Sequence, residues 1–309
     1  MRALACPASL KGVLTAREAA AALAEGMRSG GADAVELPVA DGGEGTAEVL
    51  WLARGGEWRD ADVHDAFGAP RRARWLVLPE GTAVVESAAA VPLDPTRLEP
   101  LTASSRGFGE LVQAALDDGA QSLVLGLGGT ATMDAGCGLL EVLERLPVPA
   151  IAACDVTATL LDAPSLFGPQ KGADPAAVAE LERRFAARAE LVSIRHKLGS
   201  GAAGGLGAAL ASLGADLVSG ASYVLDAVGF DAAGFDLVVT GEGRIDATTP
   251  LGKAPREVSR RSAGTRCVVF GGIVETEIES AEMVTLSGDP ARARDDLVAL
   301  GEDLVSDRH

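Results

Sequence analysis

Glycine and charged residues follow short apolar segments at several places along this 309-residue chain. The first apolar segment, residues 2–6, leads into Ser9-Leu10-Lys11-Gly12, and the second, residues 34–39, leads into a loop at 41–45 with three glycines and two acids. A segment with helical periodicity follows each loop. This order predicts repeated strand–loop–helix units, whose strands form a parallel sheet.

The last third of the chain returns to the same order. Apolar segments at 235–240, 266–270 and 282–286 alternate with helical patterns at 253–262 and 289–304. Added to the first two units, they predict a flavodoxin-like domain with five parallel strands, formed by residues 1–45 and 231–309.

The middle of the chain has a different pattern. Short alternating segments at 59–64, 72–78 and 82–86 are separated by Gly-Ala-Pro and Pro-Glu-Gly turns, which predict antiparallel hairpins. Further strands are expected at 122–126 and 150–154. Residues 46–230 are therefore predicted to form a second, mixed α/β domain inserted into the first, with the active site in the cleft between the two domains.

Composition excludes several classes of function. The net charge of −17 disfavours binding to nucleic acid or to an anionic membrane. Uninterrupted apolar segments of about 18 residues are absent from the sequence, so a soluble, cytoplasmic protein is expected. The four cysteines lack the spacing of disulfide or metal motifs and are predicted to be buried, reduced thiols. Because the chain has only three histidines, we expect carboxylates to act as the acid and base groups in any reaction.

Lysine is rare and its positions are informative. The chain has four lysines against 23 arginines, and three of the four lie in glycine-rich segments: Lys11, Lys171 in Phe167-Gly168-Pro169-Gln170-Lys171-Gly172, and Lys253 after Gly252. A compact ammonium group beside glycine, where the backbone can approach a ligand closely, suits the binding of phosphate.

Acidic residues recur in the same loops. The six that stand out are Asp41, Glu44, Asp134, Asp155, Glu242 and Asp246. Each one alone could be an ordinary turn residue. As a set with the lysines they favour phosphoryl transfer, in which lysines neutralise phosphates, carboxylates hold Mg²⁺ and one carboxylate positions the attacking hydroxyl group.

Taken together, these segments resemble the glycerate kinase family of the bacterial type I class. The matching pieces run in order from about residue 3 to 273: Ser9-Leu10-Lys11-Gly12, Pro38-Val39-Ala40-Asp41-Gly42-Gly43-Glu44-Gly45-Thr46, Gly128-Gly129-Thr130-Ala131-Thr132, Ala153-Cys154-Asp155-Val156, Phe167-Gly168-Pro169-Gln170-Lys171-Gly172-Ala173, Gly201-Ala202-Ala203-Gly204-Gly205-Leu206-Gly207, and Thr240-Gly241-Glu242-Gly243-Arg244-Ile245-Asp246 with Gly252-Lys253-Ala254-Pro255.

The resemblance implies that a hydroxyl group of glycerate is phosphorylated with ATP and Mg²⁺, and leaves 2- and 3-phosphoglycerate open as products. Asp155 is the first candidate for the carboxylate that deprotonates the hydroxyl group, Asp134 is the second, and Lys11 completes the catalytic set. Glu242 and Asp246 are the metal candidates. The residues expected to bind substrate or phosphate are Ser9, Asp41, Gly42, Gly43, Glu44, Gly128, Gly129, Thr130, Gln170, Lys171, Arg244 and Lys253.

Three departures from the family pattern favour alternatives. Ala8 stands where the family has an acid, Met133 stands where it has an asparagine, and the stretch from Gly138 to Ala150 is shorter. An apolar replacement changes a polar pocket, so a kinase for another small hydroxy acid is one alternative. A catalytically weak ligand-binding relative is another. The sequence also leaves open whether the chain forms a homodimer.

Overall fold

Strands and helices alternate through most of the chain in a computed structural model that describes residues 1–246 and 253–306. Gly252 and His309 lie outside the described residues. The strands are β1 (Arg2–Ala5), β2 (Asp33–Glu36), β3 (Glu57–His64), β4 (Pro70–Val77), β5 (Thr82–Glu86), β6 (Ser122–Leu127), β7 (Ala150–Cys154), β8 (Asp216–Ser219), β9 (Leu237–Ile245), β10 (Arg266–Val274) and β11 (Glu282–Thr285).

The helices are α1 (Ala16–Ser29), α2 (Thr46–Arg54), α3 (Ser87–Ala90), α4 (Arg106–Asp117), α5 (Cys137–Val142), α6 (Ala163–Phe167), α7 (Pro175–Ala186), α8 (Ala202–Ser212), α9 (Gly220–Ala227), α10 (Ala254–Arg261) and α11 (Ala293–Ser306). Helix α1 begins where the sequence predicts. The Thr15 hydroxyl accepts a hydrogen bond from the Glu18 amide at 3.2 Å, and the Glu18 carboxylate accepts one from the Thr15 amide at 2.9 Å. This reciprocal capping box satisfies two amides at the helix start.

By its internal contacts the chain divides into two units. The first comprises Met1–Asp41, Glu48–Ala53 and the described residues from Ala221 onward, and the second comprises Gly42–Ala47 and Arg54–Gly220. The domain boundaries predicted at 45 and 231, and the active-site cleft, stay predictions.

The first unit contains a five-stranded parallel sheet in the order β11-β10-β9-β1-β2. Ala3 of β1 pairs with Ala34 of the edge strand β2 on one side and with Leu237 of the central strand β9 on the other. The five parallel strands expected from the sequence are therefore confirmed. Because all of them run in one direction, their carboxyl ends meet at a single edge of the sheet.

Helices cover both faces of this sheet, which explains why its inner strands β1, β9 and β10 are mostly buried and apolar. On one face, Ala3 and Ala5 belong to a buried cluster that includes Leu23 of α1 and Leu297 of α11. On the other face, Leu4 lies in a cluster that includes residues of α9 and α10. Successive side chains of β1 point to opposite faces of the sheet and therefore pack into two different hydrophobic cores.

The second unit contains a six-stranded sheet in the order β3-β4-β5-β6-β7-β8. The pairs β3–β4 and β4–β5 are antiparallel, which confirms the predicted hairpins. Strands β5 to β8 are parallel, so the sheet is mixed. Its main core includes Trp75, Phe108, Leu125 and Leu206.

One prediction about the cysteines is wrong. Cys6, Cys154 and Cys267 are buried, but Cys137 is exposed, because it begins the short helix α5 on a face open to solvent. Nowhere in 1–246 and 253–306 does a helix have the length and apolar character needed to cross a membrane.

Candidate functional site

A cavity of about 310 Å³ opens at the carboxyl edge of the parallel sheet. Residues after β1, near the ends of β9 and β10, and in the loop between β11 and α11 line it. Five of the predicted site residues are among them: Ser9, Lys11, Glu242, Arg244 and Lys253. The first unit therefore gathers these side chains around one cavity, which is called the parallel-sheet pocket below.

Two of the predicted charges in this pocket form a pair. The Lys253 ammonium lies 3.7 Å from a carboxylate oxygen of Glu242, and the two side chains are only 18% and 11% exposed. Lys253 is also the N-cap residue, directly before the first residue of α10. Enclosure weakens solvent screening, so the two charges attract each other more strongly than the charges of an exposed pair do.

Arg244 is directed differently from the two lysines. Its guanidinium donates a 2.5 Å hydrogen bond to the carboxylate of Glu275, and both side chains are half exposed. An exposed ion pair of this kind contributes little to stability. In the pocket, the negative charge of Glu275 offsets much of the positive charge that Arg244 would otherwise offer to an anion.

The carboxylates on the α11 side of the pocket hold a loop in shape. Asp296 accepts hydrogen bonds from the amide and hydroxyl groups of Ser287, the first at 3.1 Å. Asp289 accepts one from the Ala291 amide at 2.9 Å. These contacts order the turn that leads into α11.

In the described parts of the chain, no group of three or more histidine, cysteine or acidic side chains is arranged to hold a metal ion. The predicted metal candidates lie at the end of β9: Glu242 is mostly buried, and Asp246 directly follows the strand. Mg²⁺ bound with a nucleotide needs only one or two protein carboxylates, because phosphate oxygens and water supply the other ligands. Glu242 fits such a shared site in charge and position.

A second group of predicted residues lies at the carboxyl ends of β5, β6 and β7. Here the loop 42–47 packs against the strand ends so closely that only glycine fits. Gly42 has φ +95°, and a Cβ atom on it would lie 2.5 Å from the Cα atom of Gly220. A Cβ atom on Gly126 would lie 2.9 Å from the Gly42 carbonyl oxygen. These loops, with Glu86, Gly128 to Asp134, Asp155 and Lys171, are called the mixed-sheet cluster below.

Several predicted residues take defined positions in this cluster. Gly128 lies beside Gly43, since a Cβ atom on Gly128 would be 3.3 Å from the Gly43 Cα atom. Gly129 lies beside Glu44, since a Cβ atom on Gly129 would be 3.3 Å from the Glu44 carboxylate. Asp41 directly precedes the loop and belongs to the first unit.

Lys171 is buried within the second unit. Its residue is only 5% exposed, and its ammonium group donates hydrogen bonds to the Thr132 carbonyl at 2.8 Å and to the Thr130 hydroxyl at 3.4 Å. Burial lowers the pKa of Lys171 to about 7, although the charge of Asp134 opposes this shift. The lysine thus ties residues 130–132 to the turn Pro169–Lys171. Its neighbour Gln170 is exposed.

Asp134 is the most highly connected acid of the cluster. One of its oxygens accepts hydrogen bonds from the amide and hydroxyl groups of Ser105, both at 2.8 Å, and from the Gly138 amide at 3.1 Å. The other oxygen accepts one from the Gly136 amide at 3.0 Å. Its carboxylate therefore orders the start of α5 and the chain before α4.

Asp155 follows β7 directly and is partly buried. Burial and the adjacent charge of Asp155 raise the pKa of the Cys154 thiol to about 11. This thiol therefore stays protonated at neutral pH. Asp155 itself lies at the carboxyl end of its strand, where ligands bind in open α/β sheets.

Glu86 was missed by the sequence analysis. It ends β5, and its carboxylate accepts a 2.7 Å hydrogen bond from the Ala47 amide at the start of α2. Burial raises the pKa of Glu86 to about 7 against the amides of Ala47 and Gly45, and Glu44 raises it further. The sequence did contain a signal for Glu86. It is an acid at the carboxyl end of a predicted strand, and Asp155 was chosen because it directly follows such a strand.

Comparison with known proteins places these motifs in a family. The model of the glycerate kinase family matches residues 3–146 and 144–288. Glycerate 2-kinase of Escherichia coli (strain K12) is 38% identical, with 82% of this chain and 80% of that protein aligned. Glycerate kinase of Bacillus subtilis (strain 168) is 39% identical, with 88% and 84% aligned. The crystal structure of a candidate glycerate kinase 2 from Salmonella typhimurium LT2 superimposes with a TM-score of 0.81 at 31% identity, covering 99% of this chain and 98% of that one.

Proposed function

This chain belongs to the glycerate kinase family and is a small-molecule kinase, and from that premise we propose that it transfers the terminal phosphoryl group of ATP to a hydroxyl group of glycerate. The observation that carries the proposal is the match to proteins named glycerate kinase at 36–39% identity over more than four fifths of the chain. Small-molecule phosphoryl transfer also suits the lysines and carboxylates at the carboxyl ends of both sheets.

We further propose that the parallel sheet is flavodoxin-like. Numbered within the first unit alone, its strands stand in the order 2-1-3-4-5, which is the flavodoxin-like order. In such sheets ligands bind outside the carboxyl ends of the strands. The position of the parallel-sheet pocket supports this assignment.

Asp155 is the carboxylate that we assign to the acceptor hydroxyl group. Phosphoryl transfer needs a group that orients the nucleophile and accepts its proton, and a strand-end carboxylate supplies both. Asp134 is the second candidate, but its oxygens already accept four hydrogen bonds from the protein. Such a network favours a role in ordering the loops, and the position of Asp155 directly after β7, at the carboxyl end of a parallel strand, makes it the preferred base.

Lys11 and Lys253 are assigned to the phosphates, and Glu242, with Asp246 as the second candidate, to Mg²⁺. When bound, the metal would neutralise charge that develops on the transferred group. Lys11 lies in a loop bounded by glycine and is exposed, so it can approach a phosphate oxygen without displacing core side chains. A charge-assisted hydrogen bond of this kind strengthens as charge develops in the transition state.

The direct test supplies the purified chain with Mg²⁺, ATP and D-glycerate and follows the products by phosphorus NMR. We expect phosphoglycerate, and the chemical shift and coupling identify the 2- or 3-isomer. A parallel screen of other small hydroxy acids measures ADP release. Phosphorylation of another acid with a far higher kcat/KM would replace glycerate as the acceptor, and the absence of turnover with every acid would refute a kinase.

A further inference from the structure

We propose that the parallel-sheet pocket is the nucleoside triphosphate site, with the nucleoside on its apolar wall and the phosphates at Lys11 and Lys253. This proposal rests on the proposed kinase function and adds which of the two regions takes the nucleotide. It also assigns a role to residues that no motif marked, above all Val13 and Ile273.

The position of the pocket is the first argument. The chain leaves β1 towards β2 on one side and returns to pair with β1 through β9 on the other. Strand order reverses at such a point, and ligands of open α/β sheets bind there, outside the carboxyl ends of the strands. The chain after β1 stays against β9, since the Ala8 amide donates a 2.9 Å hydrogen bond to the Gly241 carbonyl, and both segments continue into the lining of the pocket.

The size of the pocket is the second argument. Its volume of about 310 Å³ lies at the lower end of the range of about 300–1,000 Å³ that is typical of sites for cofactors and drug-sized ligands. A glycerate ion would fill only a small part of that space. A nucleoside with one or more phosphates fills it far better.

The apolar wall is the third argument. Val13 and Ile273 line the pocket and are 38% and 42% exposed, so a ligand in the pocket can cover both. Leu286 and Pro290 continue the wall on the α11 side. Glycerate and phosphate have almost no apolar surface to bury against these side chains, whereas the faces of a base do.

Charge decides the orientation of the ligand. Lys253 is paired with Glu242, and the Lys11 backbone lies beside Gly243, whereas Asp289 and Asp296 lie in the loop before α11 and in its first turn. A polyphosphate is attracted by the first group and repelled by the second. The phosphates therefore go to the lysines, and the uncharged nucleoside goes to the apolar wall of Val13, Ile273, Leu286 and Pro290.

The test measures binding by calorimetry with Mg²⁺ and either ADP or inorganic diphosphate. Ile273→Asn and Val13→Asn place an uncharged polar group on the wall, and Leu52→Asn is the control, because Leu52 is a 37% exposed leucine of the first unit outside the pocket. We expect each wall variant to weaken ADP binding by about tenfold or more and to leave diphosphate binding within about twofold. The control should change neither affinity. Thermal unfolding of each variant checks that it is folded. If one wall variant does not fold, the variant at the other wall position still tests the proposal.

ADP affinity that is unchanged in both folded wall variants would overturn the proposal. So would wall variants that weaken binding of D-glycerate instead of ADP, because the pocket would then belong to the acceptor. The kinase assignment has a separate readout: if the wild-type chain binds ADP at this wall but phosphorylates no hydroxy acid, the nucleotide site stands and the proposed function fails.

Discussion

The parallel-sheet pocket and the mixed-sheet cluster each contain a lysine from a glycine-rich motif, but the two lysines lie in opposite environments. Lys11 is exposed in a loop that lines a cavity. Lys171 is only 5% exposed and donates hydrogen bonds to residues 130 and 132 of its own unit. An exposed ammonium group can meet an incoming anion, whereas a buried one stabilises the loops around it.

The acids differ in the same way. In the mixed-sheet cluster, Asp134 and Glu86 accept hydrogen bonds from backbone amides and thereby order glycine-rich loops. In the parallel-sheet pocket, Glu242 is paired with Lys253 at the wall of the cavity. Motifs rich in glycine and charge thus supply both the cavity-lining charges, which we propose bind a ligand, and the charges that order the loops around them.

The largest expected effect tests whether the mixed-sheet cluster contains chemistry as well as support. Asp155→Asn removes the proposed base, and we expect kcat to fall by roughly 10²–10⁴-fold. The free energy of unfolding should change little. Asp216→Asn is the matched control, because Asp216 is an exposed acid at the opposite end of the neighbouring strand β8. Equal rates for the two variants would show that Asp155 takes no part in the reaction.

A second prediction sharpens the supporting role of Lys171. Its pKa of about 7 lies below the ordinary lysine value of 10.5, so between these values the unfolded chain binds more protons than the folded one. Stability of the wild type relative to Lys171→Met should therefore rise between pH 7 and 10, by as much as a few kcal/mol. Urea unfolding at several pH values measures this difference. A difference that stays constant with pH would show that the ammonium group is not buried in solution.

For Glu86 we expect the stability of the folded chain to fall with rising pH, opposite to Lys171, and by a smaller amount. Its pKa is raised from 4.5 to about 7, so the stabilising effect of the protonated form is complete below pH 4.5 and is lost as the pH rises through 7. Glu86→Gln should consequently gain stability relative to the wild type between pH 5 and 8. The gain is limited because the amides of Ala47 and Gly45 favour the charged carboxylate. Thermal unfolding at the two pH values checks it, and a gain in the reverse direction would contradict the buried environment of Glu86.

Much of the fold could be predicted from the sequence because its signals are local. The capping box at Thr15, the apolar strands and the hairpin turns at 65–69 and 79–81 all specify structure within a few residues. Strand β8 was not predicted, since Asp216–Ser219 is short and only partly buried. It forms through pairing with β7, which is distant in the sequence.

The environment of each site residue could not be read in the same way. Lys11 and Lys171 have similar neighbours in the sequence, and the burial of Lys171 depends on Thr130 and Thr132, some 40 residues away. Likewise, Arg244 of β9 pairs with Glu275, which directly follows β10 and lies 31 residues away in the sequence. The sequence motifs thus identified the loops that contain the candidate site residues. The burial and the ion-pair partner of each charged side chain depend on tertiary contacts, which the motifs do not specify.

The contrast between the two lysines is tested most directly by measuring Mg-ADP affinity and the free energy of unfolding for Lys11→Ala and Lys171→Met, with the exposed Lys197→Ala as control. We expect Lys11→Ala to weaken ADP binding by about tenfold and to lower kcat/KM by about 100-fold without a change in stability, because a charge-assisted contact to phosphate is lost. Lys11→Arg should restore only part of this, since a planar guanidinium needs more room than the glycine-bounded loop offers. Lys171→Met should change stability and leave ADP affinity within about threefold, and Lys197→Ala should change neither. Near-normal binding and rate in Lys11→Ala, with ADP binding lost in Lys171→Met, would contradict the account.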